Sequence, residues 1–331
     1  MTARGKGSKR LWWMVLASPC AALAVAWMLG RVLRDQWNVS QVLFWIPAPV
    51  ALLCAVAAIA AMRCARGGRT VRAAAWVCAA AAAWSLGHAA YYDVGWCAGS
   101  AAGAPTTSPQ MAQAIVVHWN PRAPGDRAVE CGTALGSVHA DILVLSNPGS
   151  MLRGSNASEW VPAGWYARDQ QHVAVVSRWP IRELRVLVHP EGVPSEALWA
   201  AWAEVEDGTG GSIRMLIVDL PSNPRSARGD VVGAVKRGLA AHARLSAPNL
   251  VMGDFNSVEG SVLFDVWPDM RAPPPWRSCG WLGTFPRVCP LWRIDWMLSA
   301  PRDAIERYET LDLGRGLHRA QRAVVRCAPT S

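Results

Sequence analysis

Three long apolar runs dominate the first part of the chain. No Asp, Glu, Lys or Arg occurs within residues 11–30, 36–62 or 73–92. Because a helix rises 1.5 Å per residue, each run is long enough to cross about 30 Å of hydrocarbon. The pattern predicts three transmembrane helices, at about 11–30, 38–62 and 73–92, in a membrane domain of residues 1–92.

A signal peptide or buried core helices would be the ordinary alternatives for these runs. No small-x-small cleavage site stands cleanly before a mature domain, and two further long runs follow the first. Pro19, Pro47 and Pro49 would break soluble helices, whereas a membrane bundle can satisfy the freed carbonyls through neighbouring helices. The prolines are therefore compatible with transmembrane helices.

The composition changes abruptly after the third run. Residues 93–113 are mostly Gly, Ala, Ser, Thr and Pro, with one charge at Asp93. This composition is typical of an exposed flexible tether. We therefore predict a linker at 93–113 and a folded domain at 114–331.

The folded domain alternates strand-like and helical patterns. The strand-like runs are rich in Val, Ile and Leu, and they are 114–119, 141–146, 172–177, 184–189, 212–220, 249–252 and 293–298. Helical spacing occurs at 127–139 and 230–246. Several adjacent strands lack room for a crossover helix, so antiparallel pairing must also occur. The pattern predicts an α/β domain with mixed, layered sheets.

Charge separates the two parts of the chain and predicts the topology. Residues 1–94 hold ten Lys/Arg and two Asp/Glu, a balance of +8 within the total of +9. Four Lys/Arg residues precede the first run and four Arg residues fill the loop between the second and third, which predicts a cytoplasmic N-terminus and an extracytoplasmic C-terminal domain. We therefore expect a multi-pass protein of the plasma, or inner, membrane with the lipid bilayer as a partner. A nearly neutral folded domain lacks the electrostatic footprint of a tight DNA binder.

Five cysteines lie beyond the membrane runs, and none of the nine in the chain forms a CxxC pair. A zinc site is therefore disfavoured. In an oxidising compartment Cys279 and Cys289 are close enough in sequence to close a short loop, although connectivity does not follow from sequence.

The sharpest local chemical feature is the segment Gly253-Asp254-Phe255-Asn256, which follows an apolar strand. It presents a carboxylate and an amide two residues apart at a strand end. An Asx-type turn explains these residue types equally well, since Asp and Asn are ordinary turn formers.

Other segments, in their order and type, resemble the endonuclease/exonuclease/phosphatase superfamily, which has the fold of deoxyribonuclease I. The matching segments are IVVHWN at 115–120, DILVL at 141–145, SRWPI at 177–181, GDFN at 253–256, TFP at 284–286, RIDW at 293–296 and GLH at 316–318. The resemblance covers about residues 114–325. It implies a layered α/β sandwich of two packed mixed sheets flanked by helices, preceded here by the three membrane helices.

The resemblance also implies hydrolysis of a phosphate ester by water and assigns the roles. Asp254 would orient and deprotonate the water, while Asn256 and Asn120 would hold phosphoryl oxygens. His318 would stabilise the developing charge, and Asp295 would bond its far nitrogen and fix its tautomer. Without the family, Asp295 is a carboxylate in an apolar stretch that needs a partner, either His318 or an arginine.

Three positions depart from the family pattern. The metal-binding Glu is replaced by Asn147, a customary His by Asp219 and the closing Asp by Leu317. The resemblance implies Mg²⁺ or Mn²⁺, which an amide at 147 should bind weakly unless Asp219 supplies the missing charge. We therefore consider Asn147 and Asp219 candidate metal ligands; for Asp219, an Asx turn is the simpler alternative.

Three functions compete at this point. The first is a membrane-anchored, metal-dependent hydrolase acting outside the cytoplasm on nucleic acid, a phospholipid headgroup or a small phosphate ester. The second is a pseudoenzyme of the same fold that serves as a binding module, suggested by Asn147 and Leu317. In the third, the anchor is the functional part and acts as a small transporter or channel, which is disfavoured because His88 is the only ionisable polar candidate within the runs. No protein partner is predicted.

Overall fold

A computed structural model describes residues 3–65, 68–97, 113–170, 172–188, 199–207, 210–223, 226–242, 244–245, 247–300 and 305–326. The chain forms two compact units. The first comprises Met1–Tyr92 with two short pieces, Ala227–Gly229 and Gly260–Val262, and the second comprises the remainder.

The first unit is helical. Its helices are α1 (Ala3–Leu33), α2 (Asn38–Phe44), α3 (Ala48–Cys64) and α4 (Arg69–His88). Small side chains fill the contacts among α1, α3 and α4, including the fully buried Ala24, Ala55 and Ala81. Small residues allow helix backbones to approach closely, which is how membrane helices associate without a hydrophobic driving force between them.

Two segments, Leu11–Leu33 and Arg69–Asp93, are long and apolar enough to cross a membrane. The middle run is not one continuous helix, because α2 and α3 are bent by 72° at the break between them. Pro47 lies in this break and cannot donate the backbone hydrogen bond that would continue α2. The number of spans is three only if the bent pair counts as one, so the prediction of three is not confirmed.

The described residues of the second unit form two mixed sheets and two α-helices, together with short 3₁₀ turns. Its strands are β1 (Val94–Trp96), β2 (Gln113–Trp119), β3 (Ile142–Ser146), β4 (Tyr166–Gln170), β5 (Val173–Ser177), β6 (Ile181–Val188), β7 (Trp199–Glu206), β8 (Ser212–Asp219), β9 (Leu250–Asp254), β10 (Ser278–Trp281), β11 (Asp295–Ser299), β12 (Ile305–Leu311) and β13 (Ala320–Arg326). The helices are α5 (Ala128–Gly136) and α6 (Arg228–Ala240). The strand orders are β1-β10-β12-β13-β2-β3-β5-β4 and β11-β9-β8-β7-β6.

The main core lies between the two sheets. Alternate residues of each strand point inward, such as Val116 and Val144 from the larger sheet and Ile217 and Met252 from the smaller one. Helix α5 covers the outer face of the larger sheet, and α6 covers that of the smaller sheet. The predicted layered α/β arrangement is therefore confirmed.

The predicted linker differs at its start. Val94–Trp96 forms strand β1, which pairs antiparallel with β10, and Cys97 forms a disulfide with Cys279. A three-residue strand is too short to show a period in the sequence, and for this reason the composition of the whole stretch suggested a tether. Residues 98–112 of the predicted linker lie outside the described residues.

The disulfide also corrects the suggested Cys279–Cys289 pairing. Cys289 is an exposed free thiol in this structure. Proximity in sequence was misleading, because strand pairing brings the Cα atoms of Cys97 and Cys279 to 4.9 Å across 182 residues.

We expect mass spectrometry of unreduced proteolytic fragments to find the peptide of Cys97 joined to that of Cys279. Cys289 should react with maleimide before reduction. A linked Cys279–Cys289 peptide would contradict the strand pairing of β1, and Cys289→Ser is the control that should leave the Cys97 linkage intact.

Candidate active site

Three carboxylates meet at one end of the smaller sheet. In the registered pairing of β8, β9 and β11, Asp219 lies opposite Asp254, and Asp254 lies opposite Asp295. Each continues the inward-facing row of its strand, and each is buried. Neighbouring strands are about 4.8 Å apart, so the fold holds three acidic groups side by side at the end of the core.

The end of strand β9 requires a glycine. Gly253 has φ 145°, and a Cβ there would lie 1.8 Å from the carbonyl oxygen of Val218. The next residue, Asp254, accepts the N–H of Asn256 through Oδ1 at 2.9 Å. The Asx-type turn that the sequence suggested is therefore present, and it coexists with a site position for Asp254. The side chain of Asn256 donates to the carbonyl of Leu220 at 2.8 Å.

Asn120 reaches the carboxylates from the larger sheet. It follows β2 directly, and its Nδ2 donates to Oδ2 of Asp254 at 2.9 Å. Its Oδ1 accepts the backbone N–H of Arg122, also at 2.9 Å. The two sheets therefore meet at this amide–carboxylate contact.

His318 lies against two of the carboxylates. Its Nδ1 is 2.9 Å from Oδ2 of Asp295 and 3.8 Å from Oδ2 of Asp254. The ring of Phe285 packs against the imidazole with centroids 5.1 Å apart, and the indole N–H of Trp119 donates to the backbone carbonyl of His318. With Nδ1 engaged by Asp295, Nε2 is the nitrogen that can act on a ligand.

The two candidate metal ligands contact each other. Nδ2 of Asn147 donates to Oδ2 of Asp219 at 2.6 Å. Oδ1 of Asn147 is 3.0 Å from Nδ1 of the exposed His172. Asn147 has φ 50°, a left-handed conformation that Asn tolerates better than most residues. Both polar atoms of the amide therefore have protein partners.

The third departure, Leu317, contributes no polar side chain. It is 46% exposed, and its carbonyl accepts the N–H of Arg287 at 2.8 Å.

Burial and mutual repulsion shift the pKa values of these groups. Burial, the largest effect, raises the pKa of Asp219 to about 7, although the hydrogen bond from Asn147 opposes the shift. Burial and then the charge of Asp295 raise the pKa of Asp254 well above its ordinary value. Burial alone would lower the pKa of His318, but the charges of Asp295 and Asp254 prevail and raise it to about 9. His318 is therefore an imidazolium at neutral pH.

The residues fit a divalent cation. Three carboxylates share a buried site with one imidazolium, and the raised pKa values of Asp219 and Asp254 reflect how strongly burial opposes their negative charge. A bound divalent cation would favour the ionised form of these carboxylates. Within the described residues, Oδ1 of Asp295 is buried without a hydrogen-bond partner. Asp254, Asp295 and His318 also present ligand atoms within 4.8 Å of one another. Carboxylate and amide oxygens are the donors that Mg²⁺ and Mn²⁺ prefer.

Two residues that support the site were not assigned roles from the sequence. Oγ1 of Thr284 accepts the N–H groups of Ile294 and Asp295 at 3.1 and 3.2 Å, which fixes the start of β11. Phe285 packs on His318, as described above. Both belong to the TFP segment, so a signal was present, but their contacts depend on the tertiary fold.

A buried polar chain behind the site was also missed. The hydroxyl of Tyr308 donates to Oε1 of Gln321. The amide nitrogen Nε2 of Gln321 donates in turn to Nδ1 of His118 at 2.9 Å. Nε2 of His118 then contacts Oγ of Ser146 at 3.0 Å. Burial lowers the pKa of His118 to about 4, so this ring is neutral.

The family comparison agrees with this geometry. The model of the endonuclease/exonuclease/phosphatase family matches residues 127–317, more than half of the chain. This protein belongs to that family, whose members are phosphoric ester hydrolases, and the resemblance drawn from the sequence is confirmed. No curated protein matches the sequence.

Several solved structures have a similar fold. A 3′ phosphatase from Neisseria is 16% identical, with 63% of this chain and 98% of that chain covered and a TM-score of 0.46. Truncated TDP2 from Caenorhabditis elegans is 16% identical, with 65% and 98% covered and a TM-score of 0.48. An endonuclease/exonuclease/phosphatase from Beutenbergia cavernae is 14% identical, with 66% and 72% covered and a TM-score of 0.46. At these identities the likeness is one of fold alone.

We expect the metal-free protein to lose stability as the pH rises from 6.5 to about 9. The pKa of folded His318 is raised to about 9, so its stabilising contribution is complete below the unfolded pKa and is lost as the pH passes the folded one. The shift corresponds to about 3 kcal/mol, or roughly 6–12 °C in melting temperature.

The measurement is the melting temperature in EDTA across this pH interval. His318→Gln should flatten the profile, whereas His139→Gln, at an exposed position, should not. An unchanged profile in His318→Gln would contradict the assigned ion pair.

Proposed function

We propose that this chain is a membrane-anchored, extracytoplasmic hydrolase of phosphate esters in which water attacks phosphorus with the help of Mg²⁺ or Mn²⁺. The observation that carries the proposal is the buried Asp295–His318 pair at 2.9 Å, with Asp254 and Asn120 beside it. Around one point, Asp254 supplies a base, the Asp295–His318 pair supplies an imidazolium that can stabilise negative charge, and Asn120 supplies an amide donor.

Each side chain has a distinct part in the reaction. Asp254 orients the attacking water and takes its proton, and its raised pKa makes the carboxylate a stronger base. His318, as an imidazolium held by Asp295, donates from Nε2 to a phosphoryl oxygen as charge develops. Asn120 holds a second phosphoryl oxygen. We extend the same role to Asn256, whose amide nitrogen also braces the Leu220 carbonyl.

A bound divalent cation would neutralise charge on the phosphoryl group. Asp219 and Asn147 are the proposed ligands, together with the free oxygen of Asp295. In this arrangement Asp219 brings the carboxylate charge that Asn147 lacks. The protein would hold the ion through few groups, leaving positions for water and substrate, as is usual for Mg²⁺.

The membrane setting draws support from charge and from the disulfide. The basic residues near the first helix favour a cytoplasmic N-terminus. Structural disulfides such as Cys97–Cys279 are typical of oxidising compartments and rare in the cytosol, which favours a location of the second unit outside the cytoplasm. The proposed substrate is a nucleic acid, a phospholipid headgroup or a small phosphate ester.

A specific observation favours a second candidate, a binding module without turnover. Both polar atoms of Asn147 are engaged within the protein, and Leu317 offers no polar group. Such a protein would bind phosphate esters in the same pocket without hydrolysing them.

The two candidates are separated by hydrolysis of bis-p-nitrophenyl phosphate by the full chain in detergent with Mg²⁺, Mn²⁺ or EDTA. We expect metal-dependent turnover that falls at least about 100-fold in Asp254→Ala, because a positioned base is lost. Asp269→Ala is the matched control, since this exposed acid precedes Arg271, which pairs with the end of β11 remote from the site. Equal rates in both variants under every metal would favour the binding module.

We expect Asp219→Asn to raise the Mn²⁺ concentration for half-maximal binding by at least about tenfold. The substitution keeps the shape of the side chain but removes the carboxylate charge that Asn147 cannot replace. Mn²⁺ binding is followed directly by electron paramagnetic resonance, with Asp269→Asn as the control. Unchanged affinity in Asp219→Asn would remove Asp219 from the proposed ligand set.

A further inference from the structure

One edge of the larger sheet is tied by the chain to the end of a candidate membrane span. The span Arg69–Asp93 is followed without any intervening residue by strand β1, Val94–Trp96. At about 3.3 Å per residue, Trp96 lies within about 10 Å of the end of the span, whatever the direction of the strand.

This edge is firmly built into the second unit. β1 pairs with β10 in the register Val94↔Trp281 and Trp96↔Cys279. The N–H of Leu282 donates to the carbonyl of Asp93 at 2.9 Å, and the Cys97–Cys279 disulfide closes the other end of the pair. A loose tether would separate the domain from the span by many residues, whereas here the chain passes from the span directly into a paired strand.

Two tryptophans are exposed on this edge. Trp96, at the end of β1, is 57% exposed, and Trp276 is 60% exposed. Trp276 belongs to the 3₁₀ turn Pro275–Arg277, which contacts β1 and leads directly into β10. Large exposed rings are costly in water but favourable at the membrane–water interface, where the indole N–H meets the headgroups and the ring meets the acyl boundary.

We propose that the β1–β10 edge, with Trp96 and Trp276, docks on the surface of the lipid bilayer. Chain continuity places β1 at the surface, and Trp276 extends the contact to a residue remote in sequence from the span. The inference rests on the membrane anchoring in the proposed function but not on hydrolysis. The opposite edge of the same sheet, β4, carries Tyr166, which is 48% exposed and serves as a matched aromatic control.

The test introduces the photo-crosslinking amino acid p-benzoyl-phenylalanine at one of three positions in the full chain. The positions are Trp76 on α4, Trp276 on the proposed docking edge and Tyr166 on the opposite edge. Each protein is reconstituted in vesicles of phosphatidylethanolamine and phosphatidylglycerol and irradiated. Lipid adducts on the labelled peptide are then measured by mass spectrometry.

We expect lipid adducts at Trp76 and Trp276, with several-fold fewer at Tyr166. Adducts at Trp76 but none at Trp276, or equal adducts at Trp276 and Tyr166, would overturn docking and leave the anchor intact. Crosslinks at Trp276 to a second copy instead of lipid would also overturn it and identify the edge as a protein interface. An absence of adducts at Trp76 would show that α4 is not in the bilayer, and it would overturn both the membrane anchoring and the docking of the β1–β10 edge.

Discussion

The registered pairing of β8, β9 and β11 brings three carboxylates together in a place where water cannot separate them. Asp219, Asp254 and Asp295 repel one another, so the surrounding structure must compensate. Several groups offset this repulsion. They are the imidazolium of His318, the amides of Asn120 and Asn147 and the proposed divalent cation. Gly253 lets β9 approach the Val218 carbonyl closely, and Thr284 fixes the start of β11, so both residues help to set the positions of Asp254 and Asp295.

The fold was predictable where apolar residues dominate a strand. All seven predicted strands are present, including β3 and β9, whose residues are entirely buried. β12 and β13 were missed because their polar residues are paired inside the protein. Tyr308 bonds Gln321, and Glu309 forms a buried ion pair with Arg322. Polarity in the sequence was therefore a poor guide to exposure in these two strands.

The site was predictable to the extent that it lies in short segments with recognisable order. Asn120, Asp254, Asp295 and His318 come together, although up to 198 residues separate them along the chain. The contact between Asn147 and Asp219 and the packing of Phe285 on His318 could not be predicted, because they depend on how separate loops meet. Strand β1 could not be predicted either, because its partner β10 lies almost a whole domain further along the sequence.

The disulfide at this edge also has a consequence for biosynthesis. Its two cysteines are 182 residues apart, so at about 5–20 residues per second the second thiol emerges roughly 10–40 s after the first. In the proposed extracytoplasmic setting, Cys97 would therefore lack its partner thiol until most of the domain has been exported. The bond can form only after residue 279 has emerged, and a chain truncated before Cys279 would leave the Cys97 thiol available for mixed disulfides.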